Sequence, residues 1–212
     1  MFSLFVRGGP VMWPLLVVSL TLVTTIIERA MFVWRRKRKS EPETVRGILR
    51  RVEAGKIDEA IAVGRHSHDP VARTLVHGLL HRERALSSSL LHAGSKELKP
   101  FGNGVTILDT VVTLSPLLGL LGTVTGMIRA FGLLGNQQLD APTAITGGIA
   151  EALIATAFGL GIAILSLIPL NLLNAYYEKM KQEIEQGATE LEVLLARAES
   201  KQAAHENPVR LS

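Results

Sequence analysis

Thr110 to Ile128 reads TVVTLSPLLGLLGTVTGMI, 19 residues without a charge. A helix that crosses a hydrocarbon core of ~30 Å needs about 20 mostly apolar residues at 1.5 Å each. Pro116, Gly119, Gly122 and Gly126 would weaken this helix in water. Inside a bilayer they are tolerated, because neighbouring helices satisfy the backbone groups they release. The run therefore reads as a membrane span. Two further runs share its character. Gly8 to Ile27 is 20 residues without a charge, and Ala152 to Tyr177 is 26, with Gly159, Gly161 and Pro169 inside it.

The charge distribution agrees. Of 212 residues, 47% are hydrophobic and 20% charged, averages that a soluble domain could share. A soluble domain would spread its charges. Here only Asp109, Arg129, Asp140 and Glu151 are charged between Asn103 and Tyr177, while 15 of the 23 Lys and Arg fall between Arg35 and Lys99. That segregation excludes a single soluble domain. The absence of Cys excludes a disulfide scaffold, a thiolate zinc site and a cysteine nucleophile.

The first run reads as a retained helix. One basic residue, Arg7, precedes it, the strong basic cluster follows it, and no small-x-small cleavage site intervenes. Trp13 and Trp34 stand 21 residues apart, ~31 Å of helix, so each suits one interface. The segment Arg35 to Pro100 carries 15 basic residues and the tail after Tyr177 five, against none from Gly135 to Ile145. The positive-inside rule then predicts that the middle segment and C-terminus are cytoplasmic and the N-terminus outside. The Arg35-Arg36-Lys37-Arg38-Lys39 run is a topology anchor near anionic lipid, and its juxtamembrane place leaves no need for a nucleic-acid partner.

The expected organisation is all-α. Residues 1–34 form an N-terminal segment and first span, 35–100 a cytoplasmic helical domain, and 101–134 the second span. A periplasmic loop over 135–145 leads to the third span at 146–177. A coiled-coil-like helix over 178–201 and a disordered tail over 202–212 follow. In the middle domain, Val45, Ile48, Leu49 and Val52 have helical spacing, Gly55-Lys56 is a turn, and Ile57 to Val63 is a second helix. Asp69-Pro70 caps a third helix that runs toward Leu91. His77 and His81, four apart, could share a metal on one face, but no third ligand has matching spacing, so they read as exposed polar residues. Beyond Tyr177 the pattern Met180, Ile184, Gly187, Leu191, Leu194, Ala198 forms a seam on a helix continuing from the third span.

Inside the spans, Gly122 and Gly126 form a GxxxG, Gly119 lies on an adjacent face, and Ala155, Gly159 and Ala163 repeat the spacing of four. Small residues so placed let helix backbones approach. Thr113 with Thr123, and Thr156 with Ser166, are ten apart, so each pair could contribute to one broad polar face. Such hydroxyls either bond their own backbone or hold water and carry protons or ions. Counting inward from Arg129 and from Glu151 puts Thr123 and Thr156 at similar depth, toward the outer side. Arg129 and Glu151 also match in depth, which predicts an ion pair at the outer mouth; helix-dipole stabilisation is the alternative role for Glu151. No carboxylate lies at mid-membrane, so a proton path would need one from a partner. No nucleophile, metal set or phosphate loop is visible, and no cofactor is expected.

Three motifs bring a family into view. Gly8-Gly9-Pro10-Val11-Met12-Trp13-Pro14-Leu15, with Ile27-Glu28-Arg29, resembles the start of ExbB-type proteins. Ser115 to Met127 resembles the second-span core of that family, and Gly148 to Leu160 its third-span core. The chain thus resembles the MotA/TolQ/ExbB proton-channel family over residues 8 to 174, ExbB more than TolQ or the four-span MotA. The resemblance implies an inner-membrane subunit that forms a pentameric ring around ExbD-like single-span partners. The partner supplies a proton-binding Asp, and a TonB-like protein carries the work to outer-membrane transporters. It also implies that Thr123 and Thr156 line the proton path and that Glu151 is the family's acidic residue at the outer start of span three. Asp109 departs from the family's usual small apolar residue. A TolQ-like role in envelope maintenance, a MotA-like stator and a passive membrane scaffold remain open at this stage.

Overall fold

The computed structural model describes residues 2–37, 41–134 and 141–206. The described residues form seven helices and no strand: α1 Phe2–Arg7, α2 Met12–Lys37, α3 Pro42–Glu53, α4 Ile57–Gly64, α5 Pro70–Leu80, α6 Arg82–Leu134 and α7 Ala141–Glu206. Three of them hold stretches long and apolar enough to cross a membrane: Met12–Arg36, Ala85–Gly132 and Ile145–Ala198. The protein is an all-α membrane protein with three membrane-crossing helices. It divides into two compact units, one of Met1–Met31 with Asn103–Asn174, the other of Phe32–Gly102 with Ala175–Ser212.

In the first unit the uncharged run that begins at Gly8 does not begin as helix. Gly9 takes φ +73°, and the chain turns there before α2 starts at Met12. Only glycine adopts that backbone at little cost. The turn packs Val11, Met12 and Leu15 against Phe5, Leu118, Phe158 and Ile162. Farther along, Leu22, Leu108, Val111 and Leu170 form a second apolar cluster. Outward-facing Leu117, Leu120, Ile164, Ile168 and Leu172 stay exposed, which suits a helix surface solvated by lipid or by other apolar helices. Pro116 and Pro169 sit within α6 and α7 without ending them.

The second unit is a small helical bundle. Asp69 caps α5: its Oδ1 accepts from Val71 N at 2.8 Å and Ala72 N at 3.3 Å, with Pro70 in the first turn. Its Oδ2 accepts from Glu41 N at 3.0 Å, which ties the start of α3 to the start of α5. The core joins Ile48, Val52, Ala60, Ala72, Leu75 and Leu79 to Leu90, Phe101, Ile184 and Leu191. The seam on α7 therefore packs against helices of its own chain. Gly187 makes room for Val71, since a methyl there would come within 2.9 Å of its Cγ1.

Three expected boundaries change. The helix expected to run from Pro70 toward Leu91 ends at Leu80, and the chain bends again at Ala85 (φ −167°, ψ 66°). The bend turns Leu90 back onto Gly78, which has no side chain to exclude it. Residues 141–145, expected in a loop, begin α7, while 135–140 lie outside the described residues. The helix also continues to Glu206, through residues 202–206 of the expected tail; Gln202, Ala203 and Ala204 are good helix formers. Residues 207–212 lie outside the described residues.

Candidate functional site

The candidate site lies where α6 and α7 meet in the first unit. Small residues decide that meeting. A methyl on Gly119 would stand 3.1 Å from Thr156 Cα and 3.2 Å from the Ala155 carbonyl. One on Gly126 would stand 3.0 Å from Ala152 Cβ and 3.0 Å from the Gly148 carbonyl. One on Gly159 would press to 2.5 Å from the Ser115 carbonyl and 3.0 Å from Gly119 Cα. Gly122 faces Ala155 in the same line. The two backbones thus touch along a continuous seam, with no side chain between them at Gly119 and Gly159.

That closeness positions Thr156. Its Oγ1 donates across the seam to the Gly119 carbonyl at 3.0 Å. Helix carbonyls are normally engaged within their own helix, so a hydroxyl reaches one from a neighbouring helix only where backbones nearly touch. The hydroxyl proton is committed to Gly119, and the oxygen's lone pairs remain for a donor from outside. Thr123 behaves differently. It donates to the Leu120 carbonyl of its own helix at 2.6 Å and lines an apolar recess with Val124, Met127, Ile128 and Phe131. Thr113 likewise donates to the Asp109 and Thr110 carbonyls, at 3.1 and 3.0 Å, on an exposed face. Ser166, suggested by its spacing from Thr156, is fully buried and donates to the Ile162 carbonyl at 2.6 Å. It does not share a polar face with Thr156.

The other end of the seam carries charge. Arg129 Nη1 lies 3.0 Å from Glu151 Oε1. The Glu151 side chain is 19% exposed and that of Arg129 51%. Glu151 is held from a third direction. Its carboxylate lies against Gly9, where any side chain would collide with it. One carboxylate therefore touches the turn before α2, the end of the α6 seam and the start of the α7 seam.

Three further residues contribute to the seam beyond those given a packing role by their spacing. Ser115, fully buried, donates to the Val111 carbonyl at 2.6 Å and offers its own carbonyl toward Gly159. Gly148 and Ala130 pack at the charged end of the seam. A signal was present: residues 148, 152, 155 and 159 are small at spacings of four, three and four, as are 115, 119, 122 and 126. The contact of Gly9 with Glu151 had no such signal, because 142 positions separate them.

His77 and His81 lie in the second unit. Their rings stack with centroids 4.5 Å apart, and His81 Nδ1 bonds the His77 carbonyl at 2.9 Å. Stacked rings do not converge two nitrogens on one point. Among the described residues no group of three His, Asp or Glu is placed to hold a metal ion.

Comparison with known proteins bears on all three spans. Residues 66–186 match the profile described as the MotA/TolQ/ExbB proton channel family. A protein of Synechocystis sp. (strain ATCC 27184 / PCC 6803 / Kazusa), named biopolymer transport protein ExbB-like 1, is 34% identical over 198 residues, covering 90% of this chain and 77% of its own. A second from the same organism, ExbB-like 3, is 31% identical over 195 residues, covering 90% and 92%. The Tol-Pal system protein TolQ of Haemophilus influenzae is 35% identical over 113 residues, covering 53% and 50%.

Proposed function

Because this chain belongs to the MotA/TolQ/ExbB proton channel family, we propose that it is the channel-forming subunit of an inner-membrane complex driven by the proton motive force. The complex would drive TonB-dependent transport at the outer membrane. Several copies, five by family resemblance, surround an ExbD-like single-span partner, and a TonB-like protein carries the work outward. The N-terminus faces the periplasm and the C-terminus the cytoplasm, in keeping with the basic residues of 35–100.

The observation that carries this reading is Thr156. Its hydroxyl is fixed to Gly119 by backbone contact, within spans that contain no titratable carboxylate between Thr110 and Ile128 or between Ala152 and Tyr177. A fixed hydroxyl can relay or solvate a proton but cannot store one. The storing acid belongs to the partner's helix. Thr156 is then an oriented acceptor beside that acid, and Thr123 lines the path one turn farther along. Glu151 and Arg129 close the outer mouth.

The test is Thr156→Val, which keeps shape and removes the hydroxyl. Proton-driven transport is expected to fall tenfold or more, on the scale of a lost proton-transfer group, while complex assembly is unchanged. Full transport in that variant would sink the role of Thr156 and favour a passive scaffold.

A further inference from the structure

A cavity of about 290 Å³ opens on the second unit, among the end of α4, α5 and α6. Arg65, Arg73, His77, His92, Lys96 and Glu97 supply its charged and titratable lining. Three permanent cations thus face one carboxylate. That carboxylate is already engaged: Glu97, its side chain 11% exposed, lies 3.1 Å from the Arg73 guanidinium. Arg65 and Lys96 make no ion pair among the described residues. His77 lines the same recess; its Nδ1 is buried without a hydrogen-bond partner, and the Ser89 backbone interacts with the ring.

Concave walls concentrate the field of like charges and raise the local anion concentration. The surplus cations come from the end of α4 and from α6, so an anion seated in the recess meets both. The volume holds a tetrahedral oxyanion with a few waters of about 30 Å³ each, and is near the lower end of small-molecule sites. The lining is too basic for an apolar ligand and the recess too small for nucleic acid. Guanidinium and ammonium groups together match phosphate oxygens in number and geometry. We propose that this pocket binds a phosphoryl anion, held by Arg65 and Lys96 and by the imidazoles of His77 and His92.

Protons are linked to that binding. Without an anion, burial and then the neighbouring His81 and His92 charges hold His77 below its ordinary range, with Lys96 adding to the effect. A bound anion opposes the charges that depress His77 and favours its imidazolium form. Glu97 remains with Arg73 and does not compete. Binding therefore takes up protons and tightens as pH falls from about 8 to 6, through the ordinary imidazole range. Two sources supply such a phosphoryl group, a free cytoplasmic anion and a lipid headgroup.

The test uses the full chain in its complex, in nanodiscs of phosphatidylcholine or phosphatidylglycerol, titrated with inorganic pyrophosphate against sodium chloride of equal ionic strength. A saturable rise in thermal midpoint is expected with pyrophosphate in phosphatidylcholine. Arg65→Gln or Lys96→Gln should weaken binding at least about tenfold, the scale of one charged hydrogen bond. Lys179→Gln, outside the pocket, should leave it unchanged, and His77→Gln should flatten its pH dependence. An equal response in phosphatidylglycerol supports a free anion. A response lost only there supports the headgroup. A shift that chloride reproduces, no saturable shift in either disc, or equal weakening by Lys179→Gln overturns the site.

Discussion

Glu151 carries a charge that Arg129 neutralises from an exposed position, so the ion pair itself contributes only ~0–1 kcal/mol. Its steric role is larger. The carboxylate lies against a glycine held at φ +73°, where no other residue sits comfortably. Gly9→Ala should therefore destabilise the protein more than Glu151→Gln, by about 1–3 kcal/mol of backbone strain plus the collision. Thermal unfolding of both variants in the same detergent would check the order, and equal midpoints would count against it. His77 gives a pH signature. Burial first, then the His81 and His92 charges, depress its folded pKa below the unfolded 6.5. The unfolded chain then binds more protons in that window, so stability is lost as pH falls below about 6.5. Without added phosphate, His77→Gln should shallow the decline of thermal midpoint between about pH 6.5 and 5. Thr156 and Glu151 were visible as residues in the sequence. That Gly119 and Gly9 are their partners was not, since both contacts depend on how separate helices come together.

At the scale of elements, the seam between α6 and α7 is a contact of backbones. Gly159→Ala would put a methyl 2.5 Å from the Ser115 carbonyl, and that carbonyl cannot rotate away as a side chain could. The helices must part. A cost of about 1–3 kcal/mol is expected, in the range of overpacked cores. The bond from Thr156 to Gly119 should lengthen with it, so transport should fall together with stability. A variant that lost stability and kept full transport would separate the seam from the function. The seam was legible in outline, because small residues at spacings of three and four are a local pattern. The end of α5 was not. Leu79 and Leu86 continue the apolar period across the break at Leu80, so periodicity alone ran through it. The turned chain packs Leu90 on Gly78, a contact between residues that no local period relates.

At the scale of the molecule, both units are built from sequence-distant pieces. The bundle around α5 draws Met180, Ile184, Leu191 and Leu195 from α7 into one core with Val71 and Leu75. A chain ending at Tyr177 would strip that core of four apolar side chains, each contributing about 1.5–3 kcal/mol when fully buried. Residues 41–80 should then be cut by trypsin far faster than in the full chain, while membrane insertion is retained. Equal protection in both chains would show that the bundle stands without α7. The spans, the helical class and the lack of a membrane-buried acid were determined by the sequence alone. Charge and hydropathy are properties of position along the chain, and a bilayer selects on them directly. The tertiary structure decided which hydroxyl crosses to which carbonyl, that Glu151 rests on Gly9, and that the seam of α7 closes on its own chain. Those outcomes depend on helix register and rotation, set by side chains that meet only once residues far apart in the chain are packed together.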